Sequence, residues 1–562
     1  MTRPPRPDAV TRPWLQVYPP GVPPTFPIPQ VPLPRLLDDA VRDFPEQVAL
    51  RDADGVELTH RALRDRVGEV VAVLGGLAVG RGDRVLLATG NTLTTPIVLL
   101  ALWRLAAVPV PASRLRSKDG QPTLAVADAR AAEVVGMFGP RATLRELFRG
   151  GLEVGWQLET DDEGWFASSS RWRPRLPRRR RDHPEEPPRT LAERVRLVAG
   201  QPVTGAADGP PAPGAPAWLL HRERRGVSRG IVLTHANLVA ASFQARLWVP
   251  DIQAGRERVL VGGDLTALGP LVLGWLAGLL AASSVELAPG GDGATLARTI
   301  ERRRPTVAVL EPAAVTALLA DDDRAKRDLS SLRVVLAAGA PLDVDVAREL
   351  ERRTGGARVR EGFCVSEAGP LTHAQPVYGR TTPGAMGLPV TESVAVVVDP
   401  DDLSVVKGPG QPGLLLLAGP QVAGGYWQDP AASAERFVDG WVVTDDLAEI
   451  DGDGVFTHLG HRDEVLPRGG SYVSPRRIEA VLERHPAVSR AGVTTDPETG
   501  MLIAGVRCRR WHQPSPQELI AYGQAHLDSR AAPEQVILVD EFPETDTGEL
   551  ARDALRQLLT RR

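Results

Sequence analysis

The stretch WLLHRERRGVSRGIVLTHANL, Trp218 to Leu238, has the outline of an anion site but lacks the residues such a site usually carries. A phosphate-handling loop ordinarily combines glycines, whose missing Cβ lets backbone N–H groups converge on oxygens, with short hydroxyl side chains that complete the cradle. In HRERRGVSRG the glycines are Gly226 and Gly230, and Glu223 adds a Cβ and a negative charge where phosphate would approach. Arg222, Arg224, Arg225 and Arg229 supply the opposite charge, and guanidinium groups can grip phosphate bidentately. Two readings follow: an arginine-based anion grip, or a former cradle now held as a solvated turn. The second is favoured because flexible charge does not replace preorganised backbone donors.

Such a loop needs regular elements to hold it, and the chain on either side supplies them. PRLLDDAVRDF carries apolar residues at helical spacing, and VALRDADGVELT reads as two short strands around an Asp54-Gly55 turn. RGDRVLLATGN, PIVLLALWRLA and VPVPAS then repeat the order strand, helix, strand, which suggests a parallel sheet with crossover helices. The alternation returns from Gly290 to Leu342, so the fold class is α/β. The apolar stretch Leu268 to Ser284 reads as a buried helix rather than a substrate pocket. Between Arg171 and Ala217 the pattern stops in an arginine- and proline-rich tract, expected to be a flexible surface insertion, with Arg178 to Arg181 read as a solvated run. Near the C-terminus Ser474 and Pro475 suit the N-cap and first position of a helix in a small α+β unit that ends at Arg562.

A chain of 562 residues exceeds what one hydrophobic core usually serves, so at least two domains are expected. The formal charge of -4 implies neither a nucleic-acid partner nor attraction to a membrane surface. Cys364 and Cys508 are too few for a disulfide framework or a cysteine metal site. No stretch reads as a signal peptide or a membrane span, since the apolar run Thr95 to Pro111 is broken by Arg104. The expectation is a soluble cytoplasmic protein. Lysine is nearly absent, being confined to Lys118, Lys326 and Lys407.

The segment from Gly425 to Val488, which contains GYWQDP, AERFVDGWVVTDD, GHRDEV and SPRRIEAVLERHPAV, resembles the adenylate-forming (AMP-binding) superfamily of acyl-CoA synthetases, peptide-synthetase adenylation domains and luciferases. GDRVLLATGN, IVLTHANL, LRVVLAAGAPL, GFCVSEAG and PETDTGELARDALR follow the order of that family, so the likeness spans nearly the whole chain. It implies a large N-terminal domain of several subdomains, here 1–462 with the insertion at about 171–217, and a small mobile C-terminal lid, 463–562, hinged at Asp463. It further implies that a carboxylate is joined to AMP from ATP and Mg²⁺, and that the acyl group then passes to the thiol of coenzyme A or phosphopantetheine.

Carried over residue by residue, the resemblance places Gly226, Arg229 and Gly230 in the phosphate loop, whose family pattern is approximately T-S-G-[ST]-T-G-x-P-K-G. Ser366 stands where the family has threonine, and Glu367 matches the glutamate associated with Mg²⁺ and phosphate. Gly339, Ala340 and Pro341 match the segment beside the adenine. Asp446 matches the aspartate that accepts from the ribose hydroxyls, with Asp445 in place of a glycine, and His461 replaces an arginine that contacts ribose. Gly470 matches the glycine lining the pantetheine passage. At Glu549 the family carries the lysine that bridges carboxylate and α-phosphate. Arg552 and Arg556 are not expected to replace it, because the family has arginines there besides that lysine.

The expectation is therefore an acyl-CoA synthetase-like protein with adenylation lost or impaired, still able to bind a nucleotide, an acyl adenylate or an acyl thioester. Two alternatives stay open: an active carboxylic acid:CoA ligase with an arginine-rich phosphate loop, and a non-catalytic interaction subunit of an active paralogue. The expected partners are a small carboxylic acid or acyl group and a paralogous synthetase or carrier protein.

Overall fold

The computed structural model describes residues 3–560 apart from 113–123, 161–189, 199–208, 225–226, 289–292, 321–326, 340–341, 469–470, 510–513, 528 and 544–549. The chain divides into two compact units, one formed by Trp14–Val394 and Leu417–Val442, the other by Met1–Pro13, Ala395–Leu416 and Val443–Arg562. Asp463 lies inside the second of these.

The larger unit realises the α/β alternation. Val108–Pro111, Arg84–Leu87, Gly136–Gly139 and Trp156–Glu159 form a four-stranded parallel sheet, in that order. In a nine-stranded sheet the strands Arg358–Phe363, Val334–Ala338, Val307–Leu310, Arg258–Val261, Ser284–Leu287 and Val48–Arg51 run parallel to their neighbours. Glu57–Thr59 closes one edge as the second arm of the expected hairpin, with Gly55 at φ 88° supplying the left-handed turn. The strands of the parallel region are buried along most of their length, which is why they read as apolar runs rather than alternating ones.

Two expectations need correction. Inside the arginine- and proline-rich tract, Leu191–Val198 is a helix, and the next strand starts at Pro216, before the tract was expected to end. Leu191, Ala192 and Val195 lie on one buried helical face, a three-residue signal too short to stand out beside so many prolines. The apolar segment after Leu268 is buried as expected, but Pro270–Leu276 is π-helical and only Ala277–Leu280 is α-helical. A Cβ on Gly274 would sit 2.7 Å from Val261 Cγ2, and one on Gly278 2.8 Å from Val285 Cγ2, so these glycines let the widened turns lie flush on the sheet. Trp275 stacks on Trp103 at 6.0 Å between ring centroids, and Trp103 Nε1 donates to the Ala217 carbonyl at 2.7 Å. The helical layer thus anchors the strand that leads into the charged stretch.

One buried carboxylate predicts a pH dependence of stability. Glu286 lies 3.4 Å from both Arg51 Nη1 and Arg303 Nε, yet burial outweighs their attraction and pushes its carboxyl up to about 7. Because the folded value exceeds the unfolded one, the stability this group contributes is complete below about 4.5 and is lost as pH rises through about 7. Glu286→Gln is expected to flatten the slope of Tm between those pH values, a change that differential scanning calorimetry reads independently of any offset in Tm.

In the smaller unit, Val488–Thr495, Leu502–Cys508 and Gln535–Leu538 form a three-stranded sheet against Pro475–Glu483, Pro516–His526 and Arg552–Thr560. Ser474 accepts from the Arg477 amide at 3.4 Å and Pro475 opens the helix, as its sequence predicts. Among the described residues no helix is long and apolar enough to cross a membrane.

Candidate functional site

The charged stretch is an antiparallel hairpin. Pro216–Arg224 pairs with Val227–Thr234, with His221 opposite Gly230, Arg222 opposite Arg229, Glu223 opposite Ser228 and Arg224 opposite Val227. Pairing therefore continues to Arg224 and Val227, and Arg225 and Gly226 lie outside the described residues. A ladder that runs this far turns every second amide toward the facing strand, whereas a phosphate cradle needs successive amides converging on one point. Gly230 has a packing reason to be glycine, since a Cβ would lie 2.9 Å from Leu219 Cδ1 and 3.1 Å from both His221 Nε2 and Trp427 Cβ.

Because side chains alternate across a strand, the hairpin sorts its charges onto two faces. Arg222 and Arg229, directly paired, share one face; His221, Glu223 and Ser228 share the other. On that second face the Ser228 hydroxyl donates to the buried Asp128 carboxylate at 2.7 Å, and burial lowers the His221 pKa against the opposing pull of Asp128. On the first face Arg222 Nη1 donates to Ser366 Oγ at 2.7 Å. Arg229 Nε lies 3.4 Å from Asp429 Oδ2, and its guanidinium carbon lies 5.7 Å from the Tyr426 ring centroid.

Ser366 and Glu367 sit on the one-turn 3₁₀ helix Ser366–Ala368, and Gly369 after it takes φ 91°. The Glu367 carbonyl accepts from the Ala423 amide at 2.9 Å, which ties this turn to the segment leading into Gly425–Tyr426, a short strand paired with Ile231 and Val232 of the hairpin. That pairing aims Tyr426 at the turn, and its hydroxyl donates to Glu367 Oε1 at 2.8 Å. Burial, and next the charge of Glu367, raise the pKa of this phenol. The helix Pro430–Arg436, capped by Asp429 through the Ala432 amide at 3.0 Å, brings Arg436 Nη2 to 3.4 Å from the same Glu367 oxygen. Tyr426, Arg436, Asp128 and Asp429 were not singled out in the sequence; the visible signals for the first two were an aromatic beside Gly425 and a cation closing a helix that Asp429 and Pro430 start.

The resemblance implies Mg²⁺ at Glu367, and the described residues do not fit it. Oε1 of Glu367 already accepts from a phenol and faces a guanidinium, both within the same unit. Magnesium needs oxygen ligands in near-octahedral geometry, and a guanidinium beside its carboxylate opposes a dication there.

Other expected site residues fall elsewhere. Gly339 follows the strand Val334–Ala338 at φ 105°, with nothing within 4 Å of where a Cβ would be, so its exposed backbone is open to close approach. Ala340, Pro341, Gly470 and Glu549 lie outside the described residues, as do Arg178 to Arg181. In the smaller unit Asp446 stands opposite His461 on the ladder between Trp441–Ile450 and Phe456–His461. Asp446 Oδ1 lies 3.0 Å from His458 Nε2, and His461 Nδ1 lies 3.4 Å from Asp463 Oδ2. A ligand hydroxyl at Asp446 would thus share that carboxylate with His458, a partner that the ladder's shift between Leu447 and Ala448 brings into reach. Arg552 makes a bidentate pair with Glu479, at 2.7 and 3.1 Å, which commits it to packing and bears against its acting in place of a lysine. The pattern Thr234-His235-x-Asn237 is structural in this fold: Thr234 and Asn237 form a reciprocal capping box at the helix His235–Trp248. Burial pushes His235 down to about 4, and as a neutral ring it accepts the Leu33 amide at 3.3 Å.

Comparison with known proteins agrees with this architecture. The AMP-binding enzyme family matches residues 37–162 and 226–427, and the AMP-binding enzyme C-terminal domain matches residues 477–549. A long-chain-fatty-acid–CoA ligase of Bacillus subtilis (strain 168) is 26% identical over 558 residues, covering 97% of each chain. Among solved structures, ATP-bound MatB from Rhodopseudomonas palustris superposes with a TM-score of 0.76 at 23% identity, covering 94% of this chain and 98% of that one. The anthranilate CoA ligase AuaEII in complex with anthranoyl-AMP gives 0.77 at 22% identity, covering 95% of this chain and 98% of that one. The fold is α/β, with a large N-terminal adenylate-forming domain and a smaller C-terminal one.

Proposed function

As the chain belongs to the AMP-binding enzyme family, we propose that it is an acyl-CoA synthetase-like protein in which ATP-dependent adenylation of a carboxylate is lost or strongly impaired. The observation that carries this reading is the hairpin, whose ladder extends to Arg224 and Val227 and whose arginines are held by Ser366 and Asp429. Preorganised amides aimed at developing charge supply much of the catalysis in acyl and phosphoryl transfer. Glu549, where the family places a lysine, supports the same conclusion from the opposite end of the chain.

The acyl substrate belongs to the carboxylic acids that such ligases use, and coenzyme A or a phosphopantetheine carrier is the proposed acceptor. Nucleoside contact is proposed at Gly339, Ala340, Pro341, Asp446 and His461, pantetheine passage at Gly470, and a lid formed by 463–562 turning at Asp463. Two cysteines, too few for a disulfide framework, fit a reducing cytoplasm. The test is product analysis: folded protein incubated with ATP, Mg²⁺, coenzyme A and a panel of aliphatic and aromatic acids is expected to release no AMP above background and to form no thioester. Stoichiometric AMP and acyl-CoA would establish an active ligase instead.

A further inference from the structure

We infer that the Ser366–Glu367 turn carries its own guanidinium in place of a divalent cation and binds a phosphate ester without metal. The inference rests on the reading that this turn is the family's phosphate end, and it deepens that reading by naming the charge and metal requirement of the ligand.

Glu367 is 7% exposed and the Arg436 side chain 13%, so their charges share a largely desolvated space in which each needs the other. A dication at Glu367 would have to displace Arg436 or stand beside it. Tyr426, whose hydroxyl donates to the same oxygen, holds Oε1 of the carboxylate between a phenol and a guanidinium. On the other side of the turn, Arg222 donates to Ser366 Oγ, and Arg229 shares its face of the hairpin and lies over the Tyr426 ring.

Arg222, Arg229 and Arg436 therefore converge on the elements around two consecutive residues, accompanied by the carboxylates of Glu367 and Asp429. Among the described side chains, three positive charges stand against two negative ones, so the balance at the turn is positive. Glu223 does not cancel it, because the strand's alternation sends that side chain to the Asp128 face. A positive balance suits the anionic oxygens of a phosphate ester such as a nucleoside monophosphate. Arg222, which is exposed and bonded to a neutral hydroxyl, can turn to a ligand oxygen at little cost.

The experiment is equilibrium binding of AMP to the full chain, by calorimetry, in excess MgCl₂ and in EDTA, with ATP in parallel. AMP is expected to bind with the same Kd within about twofold in both buffers, and Arg222→Ala to weaken it by about tenfold, the loss of one charge-assisted contact. Arg222 is a surface residue, so this variant keeps the fold; Arg436→Lys, which retains the charge, should preserve metal independence, whereas Arg436→Gln should make binding depend on magnesium. Absence of AMP binding, a gain of tenfold or more on adding magnesium, or an unchanged Kd in Arg222→Ala would each overturn the inference. Bound Mn²⁺ in the electron paramagnetic resonance spectrum of the wild-type AMP complex would do so as well. These outcomes are read without turnover, so they stand apart from thioester formation, on which the functional proposal depends.

Discussion

The triple variant Arg222→Ser, Glu223→Gly, Glu549→Lys is expected to exchange pyrophosphate with ATP about a thousandfold faster than the wild-type protein, in the presence of an acid that the chain accepts. The magnitude comes from the lysine position. A cation about 4 Å from an anion at an effective dielectric near 20 contributes roughly 4 kcal/mol, and an acid at that position reverses the sign. If the attraction is felt mainly in the transition state, its recovery alone is worth nearly three powers of ten in rate. The two hairpin changes matter because glycine at position 223 loosens the ladder that pairs it with Ser228, and Arg222 occupies Ser366 Oγ. Glu549→Lys by itself should give less, since lid and cradle act on the same transition state and their effects do not add. A triple variant that is folded and binds ATP yet exchanges no faster than wild type would mean that the loss has another cause.

The second large effect is structural and lies in the C-terminal unit. Glu479 accepts two bonds from Arg552 and one, at 2.8 Å, from the Val493 amide, joining the helices Pro475–Glu483 and Arg552–Thr560 to the strand Val488–Thr495. Glu479→Ala removes every partner of that arrangement at once and leaves a guanidinium and an amide in a poorly solvated space. Breaking a fully buried pair costs about 3–5 kcal/mol; with the Arg552 side chain 23% exposed, about 2–3 kcal/mol is expected here. Hydrogen–deuterium exchange should therefore show protection of 488–495 and 552–560 falling by roughly 30- to 150-fold, with the nine-stranded sheet of the larger unit unchanged. Glu479→Gln keeps the shape and two acceptor lone pairs and should lose less. Equal loss in the two variants would mean that charge carries the whole effect, and no loss in either would mean that Glu479 is dispensable.

How much of this was legible in the sequence depended on how local each cause was. The hairpin at Gly55, the helix start at Ser474 and Pro475, and the parallel strands around Val85, Val307 and Val334 follow from turn residues, caps and apolar runs that a few neighbouring residues determine. The helix Leu191–Val198 was missed because its buried face is three residues wide in a tract dominated by proline and arginine. The π-helix at Pro270 was not visible because its geometry depends on how glycines meet a sheet formed by distant strands. Within the site, the charges of the loop were plain but their sorting was not. Only the pairing of Arg222 with Arg229 and of Glu223 with Ser228 separates a cationic face from an acidic one. Tyr426 and Arg436 reach Glu367 across sequence distances of 59 and 69 residues, so no spacing rule could have joined them. His458 likewise meets Asp446 only through the offset of an antiparallel ladder.

The central claim is that in this member of the AMP-binding enzymes carboxylate activation is lost or strongly impaired, and pyrophosphate exchange tests it most directly because it reads the first half-reaction without requiring an acceptor thiol. With wild-type protein shown to be folded by calorimetry, and with acids ranging from acetate to long-chain fatty and aromatic acids, exchange of labelled pyrophosphate into ATP is predicted to stay at the level of a protein-free control. Acid-dependent exchange that saturates with substrate and is abolished by removing Glu367 would contradict the account.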